Sequence, residues 1–327
     1  MSEVDTPKVD TPKIEPVRAP QNQAVVIEPN EEQMLQQGVE LHRRGSLDQA
    51  DLIYQKILHR NPEHFDAIQL IGTIAVQKNL NEKAIFFLNK ALLIKDTVAA
   101  VYNNLGNAYK NLGEITSAIL CFKKAMTLDP KYNVPIFTLA TIYKDRINDK
   151  IAYRDLAIQC YQKHLENDPK SYAALVNLGS IFGGHKQFDI ALKYYESAIN
   201  LEPQSHVAYF NRSLLLKDMG KPNEAIKDLN EVIKLKPDMA GAYKTRANIF
   251  KEGKRYQLAI QDYARTIEID PNIQYGIGDL VHAKMHLYDW SNLSEQIKQI
   301  EDRLLAKKLA VLPLPLSTFL DLSLIHI

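Results

Sequence analysis

The sequence predicts an all-α solenoid, a stack of two-helix units, on three observations. One alanine recurs at positions 50, 84, 118, 157, 191, 225 and 259, spaced by 34 residues except for one step of 39. A small residue stands twelve positions ahead of it as Gly38, Gly72, Gly106, Gly179, Ser213 and Ala247, with Ala140 displaced in the fourth unit. A proline closes nearly every unit, at 62, 130, 169, 203, 237 and 271, with Asp96 once in its place. A register of this length marks helix pairs that bury their apolar faces only against their neighbours.

Residues 1–29 stand apart. "VDTPKVDTPKIEPVRAP" repeats a pentad and carries proline every few residues, so it has neither helical periodicity nor the apolar content to offset its ordering entropy. It is read as a disordered, proline-rich tail. Seven units follow, at 31–64, 65–98, 99–132, 133–171, 172–205, 206–239 and 240–273. In the third, Tyr102, Leu105, Gly106 and Tyr109 form the apolar stripe of a first helix, and Ala118, Phe122 and Ala125 that of a second. Small residues at each helix crossing let the backbones approach, and Tyr54, Phe122, Tyr161, Tyr195 and Tyr263 fill the next layer. Glycines at 45, 113 and 220 sit in the inter-helix turns, and the closing proline stops the second helix. The surplus of the fourth unit falls in "KDRINDKIAYRD" and is expected to lengthen its turn.

Composition narrows the function. Forty basic against thirty-nine acidic side chains give a net charge of +1, so there is no global field to recruit nucleic acid or a membrane surface. No apolar run reaches the roughly eighteen residues of a membrane helix, and no signal segment opens the chain. The expectation is a cytoplasmic protein that binds neither nucleic acid nor membrane. Cys121 and Cys160 are too few for a disulfide framework and fall at equivalent positions of adjacent units, as repeated packing would place them.

The small, small, aromatic and proline positions resemble those of the tetratricopeptide repeat (TPR) family, over residues 31–273. The resemblance implies a right-handed superhelix whose concave face is lined by the first helices and binds protein or peptide ligands. At about 100° per residue, unit positions 4, 7, 8 and 11 face the core and positions 2, 6, 9 and 13 lie opposite. Position 6 reads Gln36, Leu70, Asn104, Thr138, Asn177, Asn211 and Thr245, and position 9 adds Asn107 and Asn248. An asparagine amide pairs with both the N–H and the C=O of an extended peptide, whatever its side chains. It also simply solvates an exposed helix, and the residues alone leave these two readings level. A carboxylate clamp, which "YFNRS" at 209–213 resembles in one element, lacks partners in the flanking units and ranks below the amide ladder.

An eighth unit starts at Gln274 and fails the small-residue rule, with Val281 at position 8 and Leu293 at position 20. It is read as a divergent joining pair over 274–306, with Ser291 as N-cap and Leu293, Ile297, Ile300 and Leu304 as the seam of its second helix. "HAKMH" spaces His282 and His286 one turn apart, but Ala283 stands where a zinc protease has its glutamate, and no metal site is assigned. His282, Ala283, Lys284, Met285, Asp289 and Trp290 resemble the segment that joins repeats to catalytic region in O-linked N-acetylglucosamine transferases and their SPINDLY-like relatives. That resemblance carries peptide-contacting asparagines over to Asn104, Asn177 and Asn211, with Asp279 replacing the last rung and Leu70, Thr138 and Thr245 interrupting the ladder; Asn107 and Asn248 of position 9 complete the set of peptide-binding candidates. The resemblance implies no catalytic residue, cofactor-binding residue or metal ligand in this chain, since a UDP-sugar is expected only in a catalytic region that would begin after "AVLPLPLSTF". Only 17 residues follow Ala310, and "LSLIHI" at 322–327 matches the translation of a sequencing-library adapter, so a truncated reading frame is expected. The rival is a stand-alone scaffold for an assembly or chaperone complex. The sequence leaves a homodimer open.

Overall fold

The structure is a computed structural model that describes residues 30–149, 151–273 and 275–305. The proline-rich tail, the apolar terminus at 307–327 and Leu304's side chain lie outside the described residues. The described residues form sixteen α-helices and no strand. They divide into two compact units, one ending at Lys95 and one beginning at Asp96. The first holds the pairs α1 (Glu31–Arg43) with α2 (Leu47–Arg60), and α3 (Phe65–Gln77) with α4 (Asn81–Ile94). The second holds α5 (Ala99–Asn111) with α6 (Ile115–Leu128), α7 (Asn133–Asp145) with α8 (Ile151–Asn167), and α9 (Tyr172–Gly184) with α10 (Phe188–Leu201). It continues with α11 (His206–Asp218) and α12 (Pro222–Leu235), α13 (Ala240–Glu252) and α14 (Tyr256–Ile269), and the shorter α15 (Gly276–Met285) with α16 (Leu293–Leu305).

Local chemistry explains the punctuation. α1 starts on a capping box, in which the Asn30 side chain accepts from the Gln33 N–H at 2.8 Å and Gln33 returns the bond to Asn30 N–H at 3.1 Å. Second helices end where a residue must turn extended ahead of proline, with φ of −135° at Asn61, −138° at Asp129 and −141° at Lys236. The pairs α1–α2, α3–α4, α5–α6, α9–α10, α11–α12 and α13–α14 turn through the left-handed region. Glycine supplies this at Gly45, Gly113 and Gly220, but Asn79, Lys186 and Lys254 adopt it with φ of 57°, 59° and 56°.

Packing follows the register. A methyl group on Gly106 would lie 2.8 Å from the Phe122 ring, and one on Gly179 would lie 2.7 Å from the Tyr195 ring, so each aromatic occupies the space its glycine leaves. The first unit buries Met34, Tyr54, Ile57, Ile71 and Ile74 together. The second buries Phe122, Leu139, Tyr143 and Tyr161 in one cluster and Tyr195, Ala208 and Leu215 in the next. Burial pushes both free thiols, Cys121 and Cys160, up to about 11, so neither is a nucleophile at neutral pH.

Two expectations are corrected. The five surplus residues of the fourth unit do not all lengthen its turn. The stretch between the end of α7 at Asp145 and the start of α8 at Ile151 takes two of them, and α8 takes three, with 17 residues against the 14 of α6 or α10. Tyr153 in the added turn stacks on Tyr143 with ring centroids 5.4 Å apart, which gives the extra helix something to pack on. Ser291 is not the N-cap of α16, which begins two residues later after Asn292 in the left-handed conformation. Its hydroxyl instead takes the Lys284 ammonium at 3.1 Å, and its N–H donates to Asp289 at 3.0 Å.

The α15–α16 joint departs from the repeats in its backbone as well. The first helices α3, α5, α7, α9 and α11 are entered through an extended residue, whereas α15 is entered through left-handed Tyr275. Gly276 then passes so close to Ile273 that an added methyl would lie 2.5 Å from its Cγ2. Val281, Ile277 and Ile300 form a small core of their own, while Trp290 stays 47% exposed.

Candidate functional site: the face of the first helices

In the second unit, positions 6 and 9 fall on Asn104 and Asn107 of α5, Thr138 and Thr141 of α7, Asn177 and Ser180 of α9, Asn211 and Leu214 of α11, and Thr245 and Asn248 of α13. None of these ten is buried. What distinguishes them is how their hydrogen-bonding capacity is used.

Position 9 answers to position 24 of the second helix. Where that residue is tyrosine, its buried hydroxyl needs a partner. Tyr161 pairs with Thr141 at 3.1 Å, Tyr195 with Ser180, and Tyr263 donates to Asn248 Oδ1 at 2.6 Å. Burial pushes Tyr161 and Tyr195 up to about 12 and raises Tyr263 in the same direction. In the third repeat the residue is Phe122, which has no hydroxyl, and Asn107 has no hydrogen-bond partner among the described residues. The Asn248 oxygen is therefore committed to the core and the Asn107 amide is not.

Position 6 answers to a lysine at position 12 of the preceding repeat. Lys144 donates to Asn177 Oδ1 at 3.0 Å, and Lys251 lies 3.3 Å from the Asp279 carboxylate, with Lys244 at 3.7 Å. The position-6 threonines donate to their own helix, Thr138 to Val134 O at 3.0 Å and Thr245 to Gly241 O at 2.8 Å. Asn104 accepts from the Asn103 amide at 3.4 Å. Position 12 of the fifth repeat is Gly183, and Asn211, which follows it, has no hydrogen-bond partner among the described residues. Beside it opens a cleft of about 230 Å³, lined by Gly183 and Gly184 of α9 and by Asn211, Leu214, Leu215 and Asp218 of α11, with Ser180 and Tyr195.

The six sequence candidates thus share one helix face but not one condition. Asn107 and Asn211 keep both ends of the amide open; Asn104, Asn177 and Asn248 have the oxygen engaged; Asp279 is neutralised by two lysines. Sequence reasoning missed a second repeated feature. Arg212 grips Asp228 through two bonds of 2.7 Å and Arg246 grips Asp262 in the same way, with the aspartates 7% and 8% exposed. Position 7 was expected to face the core as an apolar site, and in these repeats a charge pair occupies it. The signal was present, since both the arginine and the aspartate recur after 34 residues. Because Arg212 is turned onto α12, "YFNRS" has no free arginine to offer a carboxylate clamp.

At the joint, His286 stacks on Tyr256 with centroids 4.3 Å apart, and its ring meets His282 edge-on at 5.0 Å. Burial and Lys251 hold His282 below its ordinary pKa. Among the described residues no three His, Cys, Asp or Glu side chains converge as a metal site, and no helix is long and apolar enough to cross a membrane.

Helix pairs of this register, with an exposed polar face on the first helices, define a protein–protein interaction module. Models of the tetratricopeptide repeat match residues 65–97, 99–132, 172–205 and 206–239, and these segments are TPR repeats. Among curated proteins it is similar to the probable UDP-N-acetylglucosamine–peptide N-acetylglucosaminyltransferase SPINDLY of Hordeum vulgare, at 26% identity over 151 residues. That match covers 46% of this chain and 16% of the relative, so the chain spans a small part of the relative's length. It is also similar to the uncharacterized protein ycf37 of Guillardia theta, at 26% identity over 120 residues, or 35% of this chain and 66% of that one. Among solved structures, the C-terminal part of a TPR repeat-containing protein from Cytophaga hutchinsonii superposes with a TM-score of 0.64 at 14% identity, covering 75% and 99% of the two chains. YrrB, described as a TPR protein with an unusual peptide-binding site, superposes with a TM-score of 0.50 at 21% identity, covering 58% and 95%. Both likenesses bear on the fold.

Proposed function

We propose that the first-helix face binds extended, unfolded polypeptide through side-chain amides, and that the chain serves as the acceptor-recruiting arm of a SPINDLY-like peptide N-acetylglucosaminyltransferase. The observation that carries the first half is the pair of open amides, Asn107 and Asn211, at positions 6 and 9, where the other polar side chains of the second unit are engaged. An amide with donor and acceptor both free pairs with a peptide group of any sequence, which suits a recruiter of varied acceptors. The second half is supported by the match to the barley SPINDLY protein and by the joint. There Lys284, Asp289 and Ser291, two of them among the residues that resemble the joining segment, tie α15 to the turn that follows it.

The test is competition. Added in excess to a full-length SPINDLY-type transferase acting on an unfolded polypeptide acceptor, the chain is expected to inhibit transfer to the polypeptide while sparing a short peptide that reaches only the catalytic centre. Equal rates with and without the chain would remove the recruiting role. A stand-alone scaffold is the second reading, favoured by the match to ycf37, of which this chain covers 66%.

A further inference from the structure

The cleft between α9 and α11 lies where the fifth repeat has glycine at position 12. In four other repeats position 12 is lysine, and in three of these it reaches the next repeat: Lys144 and Lys251 to position 6, at Asn177 and Asp279, and Lys217 to position 13, at Glu252, 3.5 Å away. The equivalent residue of the fifth repeat is Gly183, and its two counterparts in the next repeat are Asn211 and Asp218. Neither has a hydrogen-bond or ion-pair partner among the described residues, and both line the 230 Å³ cleft. Asn211 and Asp218 are seven residues apart on one helix, about 10 Å along its axis. Between them Leu214, 37% exposed, and Leu215 offer an apolar wall.

We infer that this cleft is a socket for a basic side chain of the bound polypeptide, lysine above all. The ligand's ammonium takes the place that the protein's own lysine takes elsewhere, donating to Asn211 Oδ1 and facing the Asp218 carboxylate, with its aliphatic stem along Leu214. An unpaired carboxylate beside an open amide acceptor selects a cationic donor, and a half-enclosed site screens the attraction less than open solvent does. The inference rests on the proposed peptide-binding face. The amides Asn107 and Asn211 hold the backbone there, and the socket fixes register and adds preference for a sequence with a base in it.

The test uses the full chain and labelled nonapeptides of serine, threonine, alanine and proline that differ only at the central residue: lysine, acetyl-lysine, norleucine or glutamate. Fluorescence polarisation is expected to rank lysine on the order of tenfold above acetyl-lysine, with glutamate weakest. Asp218→Asn is expected to erase that preference. Gly184→Lys, at a cleft-lining site where an added Cβ meets nothing within 4 Å, is expected to fill the cleft from within and also erase it, leaving the norleucine peptide bound as before. Circular dichroism checks that both variants keep their helices. Equal binding of lysine and acetyl-lysine peptides by the parent chain overturns the socket and leaves the peptide-binding face standing. Failure of every peptide to bind overturns both.

Discussion

Alanine at repeat position 8 would be too large in the fifth repeat and too small in the joint. Gly179 of α9 leaves its space to the Tyr195 ring, whereas Val281 of α15, 1% exposed, fills a small core with Ile277 and Ile300. The regular repeats bring backbones together and insert an aromatic; the joint holds them apart with aliphatic side chains and enters its first helix through left-handed Tyr275. The difference carries through to the ligand face. In the repeats Asn107 and Asn211 stay open, while at the joint Asp279 is drawn inward by Lys244 and Lys251. The change of packing therefore coincides with the end of the polar face.

The largest effect expected is on the charge pairs that the sixth and seventh repeats have and the joint lacks. Arg212→Ala leaves Asp228 unpaired at 7% exposure and should destabilise the second unit by about 3 kcal/mol in urea unfolding. Val281→Ala and Gly179→Ala sharpen the contrast at the crossing. The first opens a void and the second forces a methyl toward a ring, each at about 2 kcal/mol, measured by thermal melts. Alkaline titration probes the buried tyrosines of the repeats. A tyrosine held at about 12 when folded and 10 when unfolded keeps its proton only in the folded chain between those values, so the unfolded state binds fewer protons there. Stability is full below pH 10 and falls as pH rises toward 12, by about 1.4 kcal/mol per pH unit for each such group. The smallest effect is a gain: Lys254→Gly relieves a left-handed lysine in the turn between α13 and α14 and should add about 0.5–1 kcal/mol.

The all-α repeat fold was legible because a fixed period reports one event, a helix crossing, many times over. The state of each asparagine was less legible, because it depends on a partner elsewhere in the sequence. Asn248 loses its oxygen to Tyr263, 15 residues on, and Asn177 to Lys144, 33 residues back. Helix periodicity places a residue on a face but does not say whether a neighbouring repeat has already taken its hydrogen bonds. A search for pairs across the register, position 9 with 24 and position 12 with the next 6, would have separated Asn107 and Asn211 from the rest. It would equally have found the arginine–aspartate pairs, hidden because a charged residue at position 7 contradicts the apolar stripe. Ser291 was misplaced for a local reason: Lys284 and Asp289 compete for its polar groups before a helix can use them.

The central claim is that the ligand face is open at Asn107 and Asn211 and closed at Asn248. Side-chain amide resonances of an isotopically labelled full chain, followed while the norleucine nonapeptide is titrated in, test it most directly. The account predicts that the Asn107 and Asn211 amide groups shift with a common saturation curve while Asn248, held by the Tyr263 hydroxyl, stays in place. A titration in which Asn248 moves and Asn107 and Asn211 do not would contradict it.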